Sequence, residues 1–304
     1  MAVPAPVRRR RAPRRRFDPV ALKPVLDRLY TAFDHPESAF DPIQVVRRYP
    51  DLHDREVVGF LAAGLAFGRV ASIVASIETV CRLLGPSPAR AIDAFDPRAD
   101  GARLATFVHR WTRGTDLSAV LWILRQWRAR YGSIEAAFAA GHDAAAEDVG
   151  PSLEQFAAAA REIDLRPIYG RVPASPGAYY FFSRPSGGGA CKRLNLFLRW
   201  MVRRDGVDPG GWTQVPARQL VVPLDTHTIR VGRCLGLTAR ATPGWKMATD
   251  ITAALRRMDP DDPVRYDFSL CHLSMMGACG YGTRRGDAQC PLRPHCRTRA
   301  AARR

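Results

Sequence analysis

The sequence predicts an all-α protein, and three observations predict it. Apolar residues recur at helical spacing along most of the chain. Asp-Pro pairs punctuate it as helix starts. No alternating apolar–polar segment runs beyond five residues. The best strand candidate, residues 219–224, is short. With 304 residues the chain can bury a substantial core, and 46% hydrophobic against 25% charged residues excludes a wholly disordered chain. No apolar run approaches the ~20 residues that cross a bilayer, so no membrane partner is expected. No internal repeat appears at a fixed period, which excludes a solenoid.

The elements follow in order. Asp18-Pro19, Asp41-Pro42, Asp96-Pro97 and Asp262-Pro263 each pair a capping carboxylate with a residue suited to the first helical position. Helices are predicted over 18–33, 41–48, 53–67, 69–84, 87–95, 99–112, 116–131, 133–140, 151–163, 190–204, 226–236, 244–258 and 263–278. The pair 53–84 is apolar on most faces (Val57, Phe60, Leu61, Leu65; Ile73, Ile77, Val80, Leu84), which marks central, buried helices. Leu117, Val120, Leu121, Leu124 and Trp127 form a core stripe on the helix over 116–131. Residues 164–189 are rich in Pro and Gly and are expected to be irregular. Their run Tyr179-Tyr180-Phe181-Phe182 either plugs this stretch onto the body or offers a stacking surface for bases.

The net charge of +17 is concentrated at the ends. Residues 1–16 hold seven Arg and no acid and are read as a disordered basic arm; residues 284–304 hold seven Arg and one Asp. Basic arms of this kind bind polyanions by releasing counterions, or are simply solvated tails. The Arg-rich N-terminus is followed by no long apolar stretch, so no secretory signal is expected. The seven Cys are then expected in a reducing cytoplasm as core residues, metal ligands or reactive thiols, with disulfides improbable.

Three constellations could carry chemistry. Gly187, Gly188 and Gly189 precede the helix KRLNLFLRWMVR, where Leu194, Phe197, Leu198 and Met201 make the buried stripe and Lys192, Asn195 and Arg199 fall on a polar one. Glycines before a helix let backbone N–H groups approach a phosphate. A first-turn Lys opposes the helix dipole unless it faces an anion or is neutral. Asp225 sits where an N-cap belongs, before Thr226-His227-Thr228. It is either a cap or a carboxylate aimed into a cleft. Cys279, Cys290 and Cys296 form a loop with metal-ligand character; Asp287, His295 or Cys271 could be a fourth ligand, although Cys271 fits better as a core thiol on a stripe with Val264, Phe268 and Met275.

Together, GGGACKRLNLFLRWMVRRDGVDPGGW and PLDTHTIRVGRCLGL resemble the helix-hairpin-helix DNA glycosylase superfamily, which contains endonuclease III and the 8-oxoguanine glycosylases. More closely, the chain resembles an uncharacterised bacterial family related to it. A weaker match, FLAAGLAFGRVASIVASI, resembles the superfamily's central helix. The resemblance implies two helical subdomains with an active-site cleft between them, the helix-hairpin-helix-like segment being 183–204. The body is taken as 17–283 and the Cys-containing basic tail as 279–304.

The resemblance also implies roles. Lys192 falls at the position of the catalytic Lys of lyase-competent members, and Asp225 at the position of the essential Asp. Gly187, Gly188, Gly189, Arg193, Arg199, Arg284 and Arg285 would bind DNA. Cys279, Cys290 and Cys296 would hold a 4Fe-4S cluster, or zinc. The chain departs from the pattern in three places. Gly189 lies three residues before the Lys, Lys192 and Asp225 are 33 residues apart, and Asp287 stands where a fourth Cys is wanted. The expected activity is DNA base excision with AP-lyase chemistry through a Lys Schiff base. The expected partner is double-stranded DNA with a damaged base, bound by a cytoplasmic, nucleoid-associated monomer. The alternative is a non-catalytic nucleic-acid-binding member of the same fold.

Overall fold

A computed structural model describes residues 17–37, 41–276 and 290–296 of the chain. The expected arm over 1–16, Cys279, Arg284, Arg285 and Asp287 lie outside the described residues. Where described, the protein is all-α. Its only strands among those residues are a two-residue pair.

The helices begin where short polar side chains can cap them. Asp18 accepts from the Ala21 N–H and starts α1 (Pro19–Phe33). Asp41 accepts from the Ile43 N–H at the head of α2 (Ile43–Val46). Asp51 caps α3 (Leu52–Gly64), which leads into α4 (Val70–Leu84), α5 (Pro88–Asp93) and α6 (Ala99–Leu104). The helix expected over 99–112 stops at Leu104. Its second half is instead a hairpin, β1 (Val108–His109) and β2 (Thr112–Arg113), turning at Arg110-Trp111. Arg110 adopts a φ of 55°, which a tight two-residue turn demands. His109 anchors the hairpin, with Nδ1 2.8 Å from Ser76 Oγ and Nε2 3.1 Å from the Phe67 carbonyl oxygen.

Next come α7 (Gly114–Tyr131), α8 (Ile134–Ala139), α9 (Gly150–Glu162) and the short α10 (Arg166–Tyr169). After the irregular stretch the chain forms α11 (Lys192–Val202), α12 (Thr226–Leu235), α13 (Trp245–Arg256) and α14 (Asp267–Met275). The helix expected from Pro263 begins only at Asp267, because the Asp262 carboxylate is taken by Arg203 Nε at 2.8 Å instead of capping. Residues 219–224 form no strand.

The centre is α3, buried from Glu56 to Gly64 and packed most extensively on α11. Two glycines allow the close approach. A Cβ on Gly59 would meet Met201 Cε at 2.9 Å, and one on Gly64 would meet Phe181 Cδ1 at 2.2 Å. Phe181 and Phe182 are fully buried, and Phe182 lies 5.3 Å from Phe60. They plug the irregular stretch onto the core, as one of the two expectations had it. Two buried polar hubs complete the frame. Glu56 accepts from Ile134 N–H, Glu135 N–H and Trp212 Nε1–H. Arg199 and Arg203 are locked among Asp208, Asp267, Asp205 and Asp262. No helix among the described residues is long and apolar enough to cross a membrane.

Candidate active site

A cavity of about 590 Å³ opens between the α3–α4 connection, α11, the start of α12, and α14. That volume is typical of sites for small organic groups. Both Lys192 and Asp225, 33 residues apart in sequence, line it.

Lys192 is the first residue of α11, and its Nζ donates to the Ala66 carbonyl oxygen at 3.2 Å. Cys191 precedes it with a left-handed φ of 48° and no side-chain cap. Asp225 is the N-cap of α12. Its Oδ1 accepts from the His227 and Thr228 N–H groups, both at 2.8 Å, and its Oδ2 accepts from Cys271 Sγ at 3.3 Å. The two alternatives for Asp225 therefore coexist: one oxygen caps the helix while the residue lines the cavity. Burial and the facing Asp225 carboxylate push the Cys271 thiol well above its usual range, which keeps it a donor. Cys271 is thus a cavity residue bonded to Asp225 rather than the core thiol its stripe suggested.

Several expected DNA contacts are engaged within the protein itself, Arg199 while also lining the cavity. Arg199 is buried. Its Nη1 lies 2.7 Å from Asp267 Oδ2 and its Nη2 3.1 Å from Asp208 Oδ1. Burial opposes the charge, but the two carboxylates outweigh it and raise the guanidinium pKa. A guanidinium so enclosed is a structural tie, and the expectation of a phosphate contact is corrected. Arg193 lies over the Tyr180 ring, and burial lowers its pKa to about 10. The Gly187 and Gly188 N–H groups donate to Arg184 and Pro185 carbonyls within their own turn, so those two amides form no phosphate cradle. Gly188 also accepts from the Trp245 N–H, tying the run to the head of α13.

The expected metal loop is described only in part. Cys296 is bonded to Cys234 on α12 in a disulfide, with Cα atoms 5.1 Å apart. Spacing within 279–296 could not reveal this, because Cys234 is 62 residues away in sequence. Cys290 is buried, and Cys279 lies outside the described residues. Among the described residues no three His, Cys, Asp or Glu side chains are grouped to hold an ion.

Three site features escaped the sequence. Asp41 and His272 line the cavity with Nε2 and Oδ2 3.8 Å apart. Asp267 lines it as well, its carboxyl pushed up to about 6 by burial, with Arg199 pulling it down and Asp225 adding to the rise. Trp111, 52% exposed at the hairpin tip, stacks at 4.4 Å on Phe67, itself part of the cavity wall. The signal for the hairpin was the density of β-branched and aromatic residues over 108–112. The others carried no motif.

The fold and cavity define a helical protein in which a large cavity brings together a Lys, a helix-capping Asp, a thiol and an Asp–His pair. The chain belongs to the family described as protein of unknown function DUF2400, whose model matches residues 41–276. No curated protein and no solved structure matches it.

Proposed function

We propose that the protein is a DNA base-excision glycosylase with lyase activity, built on the two-subdomain helix-hairpin-helix glycosylase plan, and that the cavity receives an extruded nucleotide. The observation that carries this reading is that Lys192 and Asp225, singled out from sequence alone, line one cavity large enough for a nucleobase and its sugar. A base in duplex DNA hides its glycosidic bond in the stack, so it must leave the helix for the chemistry. Lys192 Nζ would then attack the sugar C1′, the base departs with the bond electrons, and the ring-opened sugar becomes an imine on Nζ. Loss of the proton at C2′ expels the 3′ phosphate and cuts the strand. The Asp225 carboxylate would stabilise the cationic sugar while its cap bonds hold it in place. Trp111, exposed beside the cavity with the Arg110 guanidinium over its ring, supports the reading as a surface on which a base could stack. The basic terminal segments would supply non-specific phosphate affinity.

The test is borohydride trapping against duplexes carrying oxidised, deaminated or abasic sites. A covalent adduct is expected with at least one of them. It should vanish in Lys192→Gln while duplex affinity stays within a few-fold. Undiminished trapping in that variant would overturn the assignment of the nucleophile.

A further inference from the structure

Trp111 stands at the tip of the β1–β2 hairpin, and its surroundings leave it one open face. Phe67 covers the other. The two rings lie 4.4 Å apart at 17° to one another, a face-to-face stack. Tyr180 is close to perpendicular to both, 5.2 Å from Trp111 and 5.5 Å from Phe67. A ring nearly equidistant from two stacked partners lies beside the stack and not on top of it. The Arg110 guanidinium is 5.6 Å from the centre of the Trp111 ring, beyond the roughly 3.5–4 Å of stacking contact. Trp111 accordingly stays 52% exposed.

This face is held in place and adjoins the cavity. His109 pins the hairpin to Ser76 and to the Phe67 carbonyl oxygen, so little freedom remains to be lost on binding. Phe67 and Gly68 line the cavity. Arg110 lies against Gly68, where a Cβ would meet its Cδ at 3.5 Å and its Nη1 at 3.6 Å. Neither Arg110 nor Arg69, exposed beside Gly68, forms an ion pair among the described residues. An open aromatic face with unpaired guanidinium groups around it complements a planar base on a phosphate backbone. The covered face decides the form of the strand. Insertion between base pairs needs both faces of the inserted ring, and Phe67 holds one of them. A base inside a paired duplex has both its own faces covered by neighbours. An unpaired base swings clear of the stack and can lay one face on Trp111.

We infer that Trp111 is an end-stacking platform for an unpaired DNA base at the cavity mouth, with Arg110 taking the adjoining phosphate, so that the protein prefers a strand already unpaired beside the nucleotide in the cavity. The inference rests on reading the cavity as the pocket for an extruded nucleotide, and adds the form of strand that delivers it.

The experiment compares equilibrium binding of the full chain to a fully paired duplex and to the same duplex with an unpaired stretch at its centre, at one salt concentration. The interrupted duplex is expected to bind about tenfold or more tightly. Trp111→Ala should erase that ratio. Trp111→Phe, which keeps an aromatic face, should retain most of it. Thermal melts establish that each variant is folded. A second measurement uses the unaltered chain. With 5-iodouracil in the unpaired stretch, irradiation of the complex should cross-link the base to Trp111, read by mass spectrometry of the adducted peptide. Equal affinity for the two duplexes, a ratio unchanged in folded Trp111→Ala, or no adduct on Trp111 overturns the inference. Borohydride trapping is measured in parallel. Trapping without a preference for the unpaired strand sinks only the platform. A preference and a Trp111 adduct without trapping sink the glycosylase reading and leave the platform standing.

Discussion

Two regions of the molecule bury polar groups, on opposite terms. Beside α11, Arg199 and Arg203 share Asp208 and divide Asp267, Asp205 and Asp262 between them, so each charge meets an opposite one. On the adjoining cavity wall, Asp41 and His272 face each other without a bond, and Trp200 Nε1 has no acceptor among the described residues. Asp267 belongs to both regions, accepting from Arg199 and Thr228 while lining the cavity. A saturated network fixes the relative placement of α11, the following loop and α14. Buried groups left unpaired beside it bear the desolvation cost that the network avoids.

The comparison can be broken hardest at Asp208. Asp208→Ala leaves two buried guanidinium groups short of a partner and should destabilise the fold by about 3–5 kcal/mol, read by urea denaturation. A loss under about 1 kcal/mol would mean that the network is not what holds the frame.

The covalent tie between α12 and the C-terminal segment comes next. Reducing Cys234–Cys296 should lower stability by about 2–4 kcal/mol, with denaturation compared with and without reductant. Thiol titration of the unfolded chain should count two more thiols after reduction. An unchanged count would show that the two sulfurs are not bonded.

Asp267 gives the comparison a pH signature. Its carboxyl is raised to about 6 from an ordinary 3.8, so the folded state binds the proton more tightly than the unfolded one. Its contribution to stability is therefore full below the unfolded value and is lost as pH rises through about 6. Between about pH 4 and 6 the stability of Asp267→Asn should depend less steeply on pH than that of the natural chain. Parallel profiles for the two proteins would remove Asp267 from that slope.

The smallest effect on stability is expected at Asp225. Asn still accepts from the His227 and Thr228 N–H groups, so Asp225→Asn should cost under about 1 kcal/mol. The same change should reduce borohydride trapping by about a hundredfold or more, because it removes the charge facing the reacting sugar. Equal losses of stability and trapping would make Asp225 a cap and nothing else.

Much of this was legible in the chain because it is local. The stripe of α11, the Asp18 and Asp51 starts and the buried character of α3 each depend on residues within two or three turns of one another. Lys192 and Asp225 were legible for the same reason, each being marked by its place at a helix head. The hairpin was not, because six residues with mixed propensity are decided by what they pack on, here Ser76 and Phe67. Arg199 was misplaced because helical spacing tells which residues share a stripe but not what lies opposite. Asp208 and Asp267 arrive from other segments and turn an apparent surface charge into a buried one.

By itself, then, the sequence determined the helical class and the central helices, since periodicity and capping are properties of neighbours along the chain; the roles proposed for Lys192 and Asp225 came from the family resemblance. Only the tertiary structure decided that Asp41 and His272, 231 residues apart, share one wall. It also decided that Cys271 bonds Asp225, and that Cys296 pairs with Cys234 instead of its neighbours. Such pairings depend on how the helices cross, and the side chains that meet there carry no mark in their own local sequence of the partner they will face.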